Sequence, residues 1–310
     1  MKLIAKASLE IKEVREKVRC GCDGIEYNLM EDFMVHGDSF LDFYPREIFT
    51  LHNVEAVHVP YMANRQMMHM EHIFQHRDYS AVDNVFRLAQ HCAQIWEHRV
   101  LVVIHCGLSM YDFMEFELFR KVLEERLTEV FEKYPQVDMA IENVVNMEYK
   151  PGDGKMPRLC NGIFLDIVEI VGYLREKFGS RVGAVFDTCH AMMTDKYMTA
   201  LLKEADFYPE VPEGRSPEID YSLERFFEAN RHFCKLIHFN DFIGNGYQIN
   251  HGTGFASQEK VDYLLELYRK YQFDCPLTLE IREEDYEDCV NFRNAKRMIE
   301  ESLQKKGVNG

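Results

Sequence analysis

The stretch Val182-Gly183-Ala184-Val185-Phe186-Asp187-Thr188-Cys189-His190-Ala191 decides the fold. It opens with a short run of apolar and small residues that carries no charge, as a strand buried on both faces does, and then breaks on an aspartate and a histidine. Working outward, seven more runs of this kind punctuate the chain: Leu3 to Ala7, Gly24 to Leu29, Val54 to Pro60, Val100 to Cys106, Val137 to Val144, Lys235 to Asn240 and Pro276 to Ile281. With Val182 to Cys189 as the sixth in order, they make eight expected strands. Amphipathic segments separate them: Leu9 to Val18, Tyr79 to Glu97, Phe113 to Tyr134, Ile163 to Phe178, Ile219 to Phe233, Gln258 to Tyr271 and finally Tyr286 to Gln304. No proline interrupts any of these. Strands alternating with helices predict an α/β protein with a parallel sheet, and eight repeats predict a single (β/α)8 TIM barrel.

Ser216-Pro217-Glu218 has the pattern of an N-cap followed by proline at the first helical position. It predicts an elaborated loop from Ala191 to Arg215, after the sixth strand and on the functional side of the barrel. With no internal repeat and no Gly/Ser-rich linker, residues 1–310 are expected to form one domain, with 305–310 a flexible tail.

The 310-residue length suits one barrel, since such domains commonly run to roughly 250 residues or more. A hydrophobic fraction of 46% and an aromatic fraction of 13% point to a folded body throughout. The formal charge of −16 argues against a broad basic surface for wrapping nucleic acid, so DNA is a disfavoured partner. No apolar run approaches the roughly 20 residues of a membrane span, and the opening MKLIAKASLEIKEV turns charged too early for a secretion signal, so a cytoplasmic location is expected. The nine cysteines are odd in number and lie mostly in apolar patterns, which suits free thiols better than a disulfide framework. Cys20 and Cys22 flank a single glycine, a poor chelate spacing.

Chemistry gathers at the ends of the expected strands. His58 stands near the end of the third, His105 of the fourth and Glu142 of the fifth. Asp187 ends the sixth, with His190 just beyond, while His238 and Glu280 close the seventh and eighth. Side chains at the C-terminal ends of parallel barrel strands converge on one mouth. Imidazoles and carboxylates together suit borderline divalent ions, Zn²⁺ or Mn²⁺, with Co²⁺ or Mg²⁺ as alternatives. Each residue alone also has a bland reading as a hydrogen-bonded or ion-paired structural group. Six strands delivering ligand types at one end favour the metal site.

These residues also carry a resemblance. The chain resembles the xylose-isomerase-like barrel superfamily, and within it looks most like endonuclease IV, the second family of apurinic/apyrimidinic endonucleases. The segments that carry it are His58-Val59-Pro60-Tyr61-Met62-Ala63-Asn64, Ile141-Glu142-Asn143, the stretch from Val182 to Ala191, and His238-Phe239-Asn240-Asp241. The resemblance implies that His58 and His105 hold one metal, that Glu142 bridges, and that Asp187, His238 and Glu280 hold a second. It assigns His190 to a third ion. The family's remaining ligands for that ion form an Asp-x-His arrangement, whereas here the loop reads Phe242-Ile-Gly-Asn-Gly-Tyr-Gln-Ile-Asn-His251-Gly-Thr-Gly254, without the aspartate and without basic residues to meet a DNA backbone. His251 is the partial substitute.

Two mechanisms fit these ligands. A phosphodiesterase uses two ions to activate water and neutralise phosphate oxygens, and His58 and His105 favour it. A sugar (ketose or inosose) isomerase or epimerase needs one ion at Glu142, Asp187, His238 and Glu280, with Glu142 or Glu280 moving the carbon-bound proton and His190 binding a hydroxyl. A non-catalytic ligand-binding barrel is a third reading. Glu142, Glu280 and His190 are therefore the catalytic candidates, and Tyr61, Asn143, Asn240 and Asp241 the substrate-binding ones. The substrate is expected to be a small sugar or a phosphodiester, and an oligomer is possible. The Met-rich stretch Met62 to Met70, with His69, His72 and His76, is expected to form a packed helix, or a lid over the pocket. Lys150, Lys155 and Arg158 are expected to be solvated rather than phosphate-binding.

Overall fold

The computed structural model of the chain describes residues 1–30, 33, 39–60, 62–63, 66–67, 80–105, 116–144, 164–201, 222–243, 250–252 and 254–307. Eight parallel strands close into a barrel: β1 (Leu3–Ala7), β2 (Gly24–Asn28), β3 (Val54–His58), β4 (Val100–His105), β5 (Val137–Glu142), β6 (Val182–Asp187), β7 (Cys234–His238) and β8 (Leu277–Leu279). Each pairs with its neighbours in sequence and β8 closes on β1. The helices outside are α1 (Ile11–Arg19), α2 (Phe40–Phe43), α3 (Ser80–Trp96), α4 (Phe116–Lys133), α5 (Phe164–Phe178), α6 (Thr188–Leu201), α7 (Leu223–Asn230), α8 (Gln258–Lys270) and α9 (Val290–Gly307). The fold is a single (β/α)8 TIM barrel.

Alternation along the strands builds two apolar compartments. Ile4, Ala56, Val103, Ala140, Val185 and Leu236 fill the barrel interior. The intervening residues, among them Val57, Val102, Ile104, Phe186 and Ile237, point outward and join the larger core under the helices. There Phe186 meets Phe227 edge-on at 4.7 Å and stacks on Phe226 at 6.2 Å, which ties β6 to α7. The N-terminal end of the interior is closed by charge, where Asp138 accepts from Arg99 at 2.6 Å and from Lys235 at 2.7 Å. Lys235 reaches it across Gly183. A Cβ on that glycine would lie 2.6 Å from the Lys235 stem and 2.8 Å from the Phe233 carbonyl oxygen.

Four expectations need correction, and a fifth falls outside the described residues. The segment from Ala191, expected to be loop, begins inside α6, which runs from Thr188 to Leu201. Its cap is Asp187, whose Oδ1 accepts the backbone N–H of His190 at 2.7 Å, so the last strand residue starts the next helix. Ser216-Pro217-Glu218 lies outside the described residues, and α7 is capped by Ser222, which accepts from Arg225 N at 3.3 Å. Met62–Ala63 and Gln66–Met67 are short antiparallel strands rather than part of a helix, each supplying the other's backbone partners. Lys305 belongs to α9, which continues to Gly307 and is anchored to α8 by a Lys305–Asp262 ion pair at 3.5 Å. The expected strands from Gly24 to Leu29 and from Val182 to Cys189 end earlier, at Asn28 and Asp187.

Seven of the cysteines are described, and all seven are free thiols. Among the described residues no helix is long and apolar enough to cross a membrane.

Candidate metal centre

Strand register sets the site. His105 lies beside Glu142 across β4 and β5, Asp187 beside His238 across β6 and β7, and Lys6 beside Glu26 across β1 and β2. His58 and His105 also face each other, their rings 4.8 Å apart. Ligand atoms of His58, His105 and Glu142 lie within 4.8 Å of one another, as do those of Glu142, Asp187, His238 and Glu280. All six expected ligand residues are thus gathered in the mouth.

Glu142 joins the two groups, one oxygen to each. Its Oε2 meets His58 Nε2 at 2.8 Å and His105 Nε2 at 3.2 Å, while its Oε1 meets His238 Nδ1 at 3.1 Å. His58 is fixed from the other side of its ring, where Nδ1 lies 2.7 Å from the Val59 carbonyl oxygen. His238 Nδ1 also lies 3.0 Å from Glu280 Oε2 and 3.8 Å from Asp187 Oδ2. His190, at the start of α6, places Nδ1 2.8 Å from the Asn143 carbonyl oxygen and 3.6 Å from Glu142 Oε1.

Burial and mutual charge set the protonation states. Burial opposes the charge on Glu142, but His238 and His105 beside it hold its carboxyl well below the usual range. Burial pushes His105 down to about 4 against the pull of Glu142, so its imidazole is neutral at pH 7 and suited to ligation. His238 is also buried, yet Glu26 and Glu142 raise it well above the ordinary histidine value. The donor set of imidazole nitrogen and anionic oxygen, in two adjoining groups that share Glu142, could hold divalent ions.

The candidate substrate-binding residues have defined partners within the protein. Asn143 and the Asp187 backbone exchange two hydrogen bonds, Nδ2 to O at 3.0 Å and N to Oδ1 at 2.7 Å. Asn240 donates through Nδ2 to Asp187 Oδ2 at 3.3 Å and accepts from Cys189 N at 3.1 Å. Asp241 accepts from Phe242 N at 2.8 Å and from Ala256 N at 3.2 Å. These three side chains brace the ligand loops. Tyr61, His69, His72, His76, Lys150, Lys155 and Arg158 lie outside the described residues, as does the side chain of His251. The His251 backbone pairs with Phe242 in a short hairpin. Gly252 then laces that hairpin to the end of β8, donating to Asp241 O at 3.3 Å and accepting from Arg282 N at 2.6 Å.

Sequence reasoning passed over Glu26 and Lys6. Glu26 is fully buried, with His238 Nε2 at 3.0 Å from Oε1 and 3.1 Å from Oε2. Burial opposes the charge on Glu26, and His238 and Lys6 outweigh it and lower its pKa. Lys6 Nζ lies 2.9 Å from Glu280 Oε1 and 3.7 Å from Glu26 Oε1. Burial disfavours the Lys6 charge, but Glu280 and Glu26 more than compensate, so its pKa is raised. The available signal was position: a charged residue inside a strand apolar on both faces has to be paired. Beside Lys6 and Glu280 opens a cavity of about 780 Å³, lined also by Asn28, Tyr44, Arg282 and Tyr286.

No protein-family pattern matches the sequence, and no curated protein does. In fold the chain is similar to a xylose isomerase domain protein from Planctomyces limnophilus, with TM-score 0.58 and 9% identity over 98% of this chain and 97% of that one. The chain superposes on a D-tagatose 3-epimerase-like protein with TM-score 0.59 and 14% identity over 98% of this chain and 99% of that one. For 3-keto-D-glucoside 4-epimerase from E. coli the TM-score is 0.54 and the identity 13%, covering 97% and 99%. For endonuclease IV from Thermus thermophilus it is 0.54 with 14% identity, covering 97% and 100%. At these identities the likeness is one of fold.

Proposed function

We propose that the protein is a divalent-metal-dependent phosphodiester hydrolase that works through a dinuclear site, as the resemblance to endonuclease IV implies. The observation that carries this reading is Glu142, whose two oxygens face two separate ligand groups, one completed by His58 and His105 and the other by Asp187, His238 and Glu280. A one-ion site has no need of the two buried imidazoles on Oε2. Ions held there would offset charge on the phosphate oxygens and make a water more acidic.

The chain's own residues do the rest. Glu142 and the strand ends hold the ligand atoms in fixed register, so little reorganisation accompanies the reaction. His105 stays neutral at pH 7 and keeps its lone pair available. His190, anchored through Nδ1 to Asn143 O and standing 3.6 Å from Glu142 Oε1, borders the ligand groups where a substrate oxygen would sit. The net charge of −16 favours a small phosphodiester over a long duplex.

A second reading, a sugar epimerase, is supported by the cavity beside Glu280. At about 780 Å³ it is within the size range of small-molecule sites, and it adjoins one of the two carboxylates that would exchange a carbon-bound proton.

Metal analysis and parallel assays decide between them. Two bound equivalents, with turnover of bis(p-nitrophenyl) phosphate or an abasic-site duplex, are expected. His58→Ala and His105→Ala should each lower kcat at least as much as removing one transition-state donor does, roughly 10²- to 10³-fold. One equivalent with turnover of a ketose, and none of the phosphodiesters, would establish the second reading instead.

A further inference from the structure

His238 has carboxylates on both sides of its ring. Nδ1 faces Glu142, Glu280 and Asp187 at 3.1, 3.0 and 3.8 Å. Nε2 faces both oxygens of Glu26, at 3.0 and 3.1 Å. Glu26 comes from β2, which supplies none of the six expected ligands, and it is held in turn by Lys6 from β1. Lys6 reaches onward to Glu280 Oε1, so one chain of contacts runs from the half-buried Glu280 through the buried Lys6 and Glu26 to the far side of His238.

We infer that Glu26, steadied by Lys6, is a positioning residue for the metal centre, accepting the His238 Nε2–H and so reserving the Nδ1 lone pair for the ion shared with Glu142, Asp187 and Glu280. The inference rests on the metal reading of those residues. A neutral imidazole carries one N–H, and the group that accepts it decides which nitrogen is left to ligate. A carboxylate in that role also fixes the ring's orientation and increases its basicity as a ligand. Lys6 is what makes the arrangement tolerable, because a buried carboxylate is strongly disfavoured unless it is paired.

Glu26, His58 and His238 also lie within 4.8 Å of one another, which raises the alternative of an ion of their own. Two features count against it. His58 Nε2 is directed at Glu142 Oε2 at 2.8 Å, and the Lys6 ammonium already supplies a cation 3.7 Å from Glu26. His238 would moreover have to ligate through both nitrogens and give up both ring protons.

The test is cobalt binding by metal-free, full-length protein, read by competition with a chelator and by the Co²⁺ absorption spectrum. Glu26→Gln should keep the wild-type number of ions, bind them roughly 10- to 100-fold more weakly and shift the spectrum, with Glu26→Asp recovering part of the loss. Unchanged affinity and spectrum would reduce Glu26 to a structural role, and loss of one ion would make it a ligand; either overturns the inference. If Glu26→Gln does not fold, ¹⁵N-histidine NMR of the zinc-loaded wild type decides. His238, assigned against His238→Gln, should be protonated at Nε2, and protonation at Nδ1 overturns the proposal. A wild type that takes up no cobalt at all would instead remove the metal reading.

Discussion

Glu142 and His238 show how one residue's surroundings determine what it can do. Both are buried and each is the other's counter-charge, and in the metal-free protein Glu26 and Glu142 raise the His238 pKa well above the ordinary histidine value against the opposing effect of burial, which favours the protonated imidazole. An ion at Nδ1 must displace that proton. Metal binding should therefore release a proton and tighten as pH rises, because His238 approaches the neutral form that ligation needs. Calorimetry of metal binding in buffers of different ionisation enthalpy measures the release; affinity that does not vary with pH would contradict it. His58, His105, Asp187 and Glu280 were legible because each closes an apolar run. Lys6 and Glu26 were passed over: each is the single charge in its strand, which signals that it must be paired, but its partners are set only when the barrel closes.

At the scale of elements, two glycines set how closely the parts approach. Gly183 lets β7 lay the Lys235 stem over β6, and a methyl there would press on the Phe233 carbonyl oxygen at 2.8 Å. Gly183→Ala should cost about 1–3 kcal/mol, measured by denaturant unfolding, with the bound metal count unchanged. Gly252, at φ +72°, joins the hairpin after β7 to the segment just beyond Glu280, and an added Cβ would stand 3.0 Å from the Glu280 carbonyl oxygen. The left-handed backbone alone costs a non-glycine residue about 1–2 kcal/mol. Gly252→Ala should weaken the site that contains Glu280 more than the one that contains His58, and stepwise metal titration can resolve the two. Strand and helix existence were readable from period because the barrel repeats one unit. The α6 start was not, since Asp187 has two roles: as a cap it makes Thr188-Cys189-His190 helical, and as a ligand type it looked like the beginning of a loop.

For the whole molecule, the mouth gathers Glu26, Glu142, Asp187 and Glu280 around four imidazoles and Lys6, an arrangement that an ion held by the folded state alone would stabilise. At a hundredfold excess of metal over Kd the gain is about 2.7 kcal/mol, a rise of several degrees in Tm, which should vanish on chelation; calorimetric scans with and without chelator check it. The sequence by itself determined the barrel, because eight apolar runs spaced by amphipathic helices have few ways to be buried, and it determined the ligand types at six strand ends. Only the tertiary structure decided that Glu142 divides its oxygens between His58 and His105 on one side and His238 on the other, and that β1 and β2 complete the polar mouth through Lys6 and Glu26. The reason is physical: a strand's period tells which residues share a face, whereas barrel closure and inter-strand register decide which faces, from residues as far apart as Glu26 and His238, come within 3.0 Å.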